Sequence, residues 1–152
     1  MQRFLVLVAA VLAAGFSANA RADWFGSGEN RFEIPFVTVG SPGNVADTTG
    51  APNPAGRVDY TYRIGKYEVP EEAVRKANAA SVLAGSPLGI TLDERGPQKP
   101  ATSLSWFEAA RFVNWLNEDA GHAPAYKFDA SGNFQLWEPG DAGYNPANLF
   151  RN

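Results

Sequence analysis

The segment SLSWFEAARFVNWLNE, residues 103–118, restricts what this chain can fold into more than any other stretch. Ser105 followed by Glu108 forms a capping box that starts a helix, and Gly121 with Pro124 stops it. At about 100° per residue, Trp106, Ala109, Ala110, Phe112, Val113 and Leu116 share one broad arc, with Glu108, Arg111, Asn114 and Glu118 opposite. Trp115 falls among those charges, within reach of Arg111, whose guanidinium can stack on the indole. Phe107 sits at the other margin. Such a helix must be covered on more than one side. The pattern therefore predicts an α+β domain with long ordered loops, not a helical bundle.

The chain is 152 residues long, enough for one domain. Residues 1–22 read as a secretory signal peptide: Arg3 precedes the apolar run FLVLVAAVLAA, and SANARA supplies two small-x-small cleavage sites. The run is shorter than the roughly 18 residues a membrane anchor needs. The expected mature chain starts at Asp23 and extends to Asn152, exported to the periplasm or the exterior with no membrane span after the leader is removed. Of the 13 basic residues, Arg3 and Arg21 leave with it, so 11 face 16 acidic ones, a net charge of −5. Without a Lys/Arg cluster, nucleic acid is excluded as a partner. There is no cysteine, so an exported fold must rest on burial rather than disulfides, and ten Phe, five Tyr and four Trp supply it.

Along the chain, RFEIPFVTVG (31–40) predicts a strand whose Pro35 suggests an edge position. SPGNVADTTGAPNPAG (41–56) is a long irregular loop. RVDYTYRIGKYEV (57–69) reads as the clearest strand, Val58, Tyr60, Tyr62 and Ile64 forming one face and Asp59, Thr61 and Arg63 the other, with a bulge or twist at Gly65. Pro70 at a first helical position, Glu71 and Glu72 in the first turn and Gly85 as a stop predict a helix over 71–84. A second loop spans 85–102, and AYKF and FQLW around DASGN predict a β-hairpin. The remainder, EPGDAGYNPANLFRN, is loop.

Few residues carry the marks of chemistry. The lone His122 follows a helix-ending glycine and is expected to face solvent or cap the helix. Asp129, Ser131 and Asn133 alternate as in a calcium loop, but without its bidentate Glu they are expected to form a turn. Glu138, Asp141, Asn145 and Asn148 beside Trp137 and Tyr144 could hold a hard cation or a sugar, or brace a loop through side chain to backbone bonds, the favoured reading. Asp93-Glu94-Arg95 reads as a solvated turn. No phosphate loop, G-x-S-x-G or H-E-x-x-H motif occurs.

Three segments in order, YRIGKYEV (62–69), KPATSLSWFEAARFVNWLNE (99–118) and AYKFDASGNFQLWEPGDAGYNPANLF (125–150), resemble the formylglycine-generating enzyme, or sulfatase-modifying factor, family, in particular its exported, non-haem-iron-enzyme-like bacterial subgroup. The resemblance implies a C-type-lectin-like α+β fold, incomplete at the C-terminus, and a family activity that oxidises a sulfatase cysteine with a metal bound by the C-terminal half. Pro70 stands where the family has a Thr, and the Ala-rich helix after it lacks the family's aromatics. No residue matches the family's catalytic or metal-binding cysteines, so no catalytic, cofactor or metal residue is expected in this chain. The expected function is an exported, catalytically incompetent portion of such a domain. The alternative is a short envelope or extracellular module of lectin-like fold that binds a protein or a glycan.

Overall fold

The computed structural model describes residues 21–51 and 55–144; the expectations for the leader before Arg21 and for the tail from Asn145 lie outside the described residues. The architecture is α+β. A three-stranded antiparallel sheet is built from β1 (Arg21–Phe25), β2 (Phe32–Val39) and β3 (Tyr62–Gly65), followed by α1 (Glu71–Leu83), α2 (Trp106–Asp119) and a two-stranded hairpin of β4 (Lys127–Phe128) and β5 (Phe134–Gln135).

The alternation in β2 places Phe32 and Ile34 in the core and Glu33 outside. β2 is nevertheless the central strand, between β1 and β3, so the edge position suggested by Pro35 is corrected. The sheet accommodates the proline because β3 stops at Gly65, opposite Phe36. The Pro35 carbonyl accepts from the Lys66 N–H at 2.8 Å, so its ring nitrogen points past the end of the β2–β3 ladder, where no strand asks it for a proton.

The predicted strand over 57–69 shrinks to β3, and its large apolar side chains do not form a buried face. Tyr60, Tyr62 and Ile64 are exposed. Arg63, on the supposed polar face, lies over the Phe36 ring and reaches across β2 to Asp23 on β1 with bonds of 2.7 and 3.1 Å, and to the Arg21 carbonyl at 2.9 Å. A flat, extended guanidinium can cover an apolar face while its tip is paired, which alternation of residue types does not reveal. Gly65 ends the strand and forms no bulge.

α1 runs as expected, except that Pro70 is the N-cap rather than the first helical residue. A proline cap has no side chain to offer the free amides of the first turn. The 85–102 loop takes over, the Lys99 carbonyl accepting from Glu71 N–H at 2.9 Å and the Pro97 carbonyl from Glu72 N–H at 3.0 Å. Ala73, Val74 and Ala77 face the sheet; small residues let the helix approach closely, and the core is completed by Ile90 from the loop and Phe112 from α2. Both helices end in the same motif: Gly85 and Ser86 donate back to Val82 and Ser81, and Gly121 and His122 to Glu118 and Asn117. Gly85 and Gly121 have φ of 75° and 77°, which a side chain would oppose.

α2 resolves the aromatic puzzle. Its capping box forms as expected, Ser105 N–H donating to Glu108 Oε2 at 2.8 Å and Glu108 N–H to Ser105 Oγ at 3.2 Å. The single broad arc, however, splits. Phe112 and Leu116 pack into the sheet core, and Trp115 joins them by stacking on Phe32 at 6.0 Å between centroids. Trp106 turns the other way, edge-on to Tyr126 at 5.5 Å and Phe134 at 5.1 Å, while Phe107 meets Phe128 of the hairpin. Ala109, expected at the centre of the face, is exposed. The wheel misleads because Asn114, polar and expected to face solvent, is spent on chain: its amide donates to the Tyr126 carbonyl at 2.7 Å and accepts from Tyr126 N–H at 2.8 Å. Arg111 stacks on no indole among the described residues.

Loops are held in the same way elsewhere. Asn78 brackets Ile90, and Asn44 bonds the Gly56 carbonyl and the Val58 N–H. In each case one primary amide supplies both a donor and an acceptor to backbone that has no strand partner.

Candidate ligand-binding groove

A groove of 670 Å³ opens where β2 loses its neighbour. Along Phe32–Pro35 the strand is paired with β1 on one side only, since β3 stops opposite Phe36. The facing wall is the chain from Tyr67 through the first turns of α1 to Lys76, with Gln98 and Pro100 closing the end. The sequence forms this opening because Gly65 and Pro70 turn the chain out of the sheet and into α1 within a few residues.

Backbone groups of alternate residues on a strand point to the same side. The Pro35 carbonyl is bonded to Lys66 N–H, and the Arg31 carbonyl accepts from Lys76 Nζ at 3.0 Å. By the same alternation Glu33, between them, turns its N–H and C=O away from β1 toward the groove it lines, and among the described residues no bond to either is found outside the β1–β2 ladder. Lys76 is also 3.4 Å from Glu72, whose carboxylate accepts from Gln98 Nε2 at 3.2 Å. Two aromatic side chains flank the opening. Trp24 is 53% exposed, with Arg31 stacked 4.3 Å from the ring centroid, and Tyr67 is 64% exposed. Large aromatics left this accessible beside an open donor–acceptor pair suit a ligand with an apolar face and polar edges.

Among the described residues, those singled out in the sequence lie elsewhere and meet one another only within their own turns. His122 is exposed and contributes its backbone N–H to the end of α2. Asp129 is consumed by its own turn, accepting from Ser131 N–H and Asn133 N–H at 2.9 Å and from the Asn133 and Gln135 amides. Those bonds hold its carboxyl below the usual carboxylate range. Asp141 is likewise lowered, first by the Lys127 ammonium at 2.6 Å and then by the Glu138 N–H. Trp137 Nε1–H donates to the Ala125 carbonyl at 2.9 Å, and the chain at Gly143 crosses the indole so closely that a Cβ would lie within 2.7 Å of three ring atoms. This segment is a braced loop; Asn145 and Asn148 lie outside the described residues.

Asp93-Glu94-Arg95 is more than a solvated turn. Glu71, 3% exposed, accepts from Arg95 N–H at 2.8 Å and from Gly96 N–H at 2.9 Å, and Glu94 takes a left-handed φ of 53° between these anchors and Asp93. Asp93 in turn accepts from the Thr102 hydroxyl. Among the described residues no group of three or more His, Cys, Asp or Glu could hold a metal ion, and no helix is long and apolar enough to cross a membrane.

The groove residues give no sequence signal because they come from four separate segments; Pro35 inside an apolar run is the one available hint. Comparison with known proteins finds no matching family model, no matching curated protein and no matching solved structure.

Proposed function

We propose that the chain is an exported portion of a sulfatase-modifying-factor-like domain, of C-type-lectin-like fold, that binds and supports rather than catalyses. The observation that carries this reading is the position of α2. The segment of strongest resemblance is the central strut, clasped by the sheet core through Phe112 and Trp115 and by the hairpin through Trp106. Loops pinned by Asn44, Asn78, Asn114 and Glu71 fit the loop-rich character that the resemblance implies. Thiolate chemistry is beyond a chain without cysteine.

Reading the coding DNA past the codon for Asn152 in all frames tests the proposal. The expected result is a continuation that encodes the family's Leu-Pro-Ser-Glu-type helix and metal-binding cysteines; a stop with no such continuation in any frame overturns it. The second reading, a binding module in its own right, is favoured by the open groove at Glu33.

Export carries its own expectation. Cleavage after Ala22 would remove the first two residues of β1 together with the Arg21 carbonyl that holds Arg63 at 2.9 Å. Cleavage after Ala20, at the other small-x-small site, keeps both of those residues. N-terminal sequencing of the secreted protein is expected to read Arg21. A first residue of Asp23 would show that the sheet does without this end of β1.

A further inference from the structure

We infer that the groove beside Glu33 is a carbohydrate subsite that takes an uncharged hexopyranose through two adjacent hydroxyls. The inference rests on the groove geometry and not on the family resemblance. Glu33 presents an N–H donor and a C=O acceptor side by side, aimed into a groove of 670 Å³. Elsewhere in this fold, backbone donor–acceptor sets of this kind are answered by a group that offers both functions at one edge, as the amides of Asn78 and Asn114 do for Ile90 and Tyr126. A vicinal diol offers the same: one hydroxyl donates to the Glu33 carbonyl while its neighbour, about 2.8 Å away, accepts from the N–H. The C–H face of the ring can then lie against Trp24 or Tyr67, both more than half exposed.

An extended peptide is the obvious competitor, since the groove runs along an unpaired strand edge. The neighbours of Glu33 argue against it. Pro35 has no N–H to give, its carbonyl is occupied by Lys66, and the Arg31 carbonyl is occupied by Lys76. An added strand would find one pairing position and then stop, whereas a sugar needs only one.

The experiment is an amide NMR titration of the ¹⁵N-labelled mature chain with cellotriose, repeated with a Val/Thr-rich tetrapeptide. The expected result is saturable binding of the trisaccharide, with the Glu33 amide among the largest shifts. Trp24→Ala and Tyr67→Ala are each expected to weaken binding by about tenfold, with amide spectra otherwise unchanged to show that both variants fold. The same titration with a trisaccharide methylated at its 2- and 3-hydroxyls is expected to leave Glu33 unmoved. The inference is overturned if cellotriose leaves Glu33 and its neighbours unshifted, if the methylated sugar binds equally well, or if the tetrapeptide alone shifts Glu33. Each of these failures leaves the family reading intact, because that reading stands or falls on the downstream DNA.

Discussion

Phe112→Ala is expected to destabilise the protein by about 4 kcal/mol, read as a shift in the midpoint of urea denaturation with an unchanged slope. Phe112 is 5% exposed and is the most buried of the α2 side chains, with Trp115 and Leu116, that enter the α1–sheet core. Truncation there opens a cavity between elements with little freedom to collapse, because the capping box and the Asn114 bracket fix α2 at both ends of the contact. The neighbouring aromatic gives the control. Phe107, 46% exposed, packs on Trp106 and on Phe128 of the hairpin, away from the α1–sheet core, and its replacement by alanine should cost under about 1.5 kcal/mol. Equal losses at the two positions would mean that α2 is not held by two unlike faces.

The second large effect is expected at Glu71. Its carboxylate is buried and spent on two loop amides, so Glu71→Ala leaves the N–H groups of Arg95 and Gly96 without an acceptor and should cost about 3 kcal/mol. Glu71→Gln keeps one acceptor oxygen and turns an NH₂ toward the other amide; it should lose about half as much stability as the alanine variant. Hydrogen exchange separates this from a general loss of packing. Protection should fall first at Arg95 and Gly96, with the core of α1 at Val74 and Ala77 following only at global unfolding. Uniform loss of protection would show that Glu71 serves the helix and not the loop.

Elements with strong local chemistry are legible in the amino-acid sequence alone. The capping box of α2, the glycine stops of both helices and the Asx-type turn in the hairpin are each specified within a few consecutive residues, and each forms where expected. The sheet is harder to read. Alternation correctly orients β2 but misjudges β3, whose Tyr62 and Ile64 are exposed while Arg63 spans a strand to reach Asp23 and lies over the Phe36 ring. β1 escapes sequence reasoning altogether; its residues adjoin the leader, and only pairing with β2 makes them a strand. The helical wheel of α2 fails for a related reason. Asn114 is polar in composition yet buried in role, so a hydrophobicity count rotates the face away from Trp115. The groove is hidden for a topological reason, since it depends on where β3 stops relative to β2.

Holding loops with asparagine also gives the molecule a chemical lifetime. At Asn44, Asn78 and Asn114 the nitrogen of the amide faces a carbonyl and its oxygen faces an N–H. Slow hydrolysis of such an amide to a carboxylate changes almost nothing in shape, yet it replaces the donor by a negative charge directed at a carbonyl oxygen. Ageing of this protein would therefore release its loops singly, the 41–58 loop, the Ile90 loop and the hairpin each on its own clock, while both helices kept their turns.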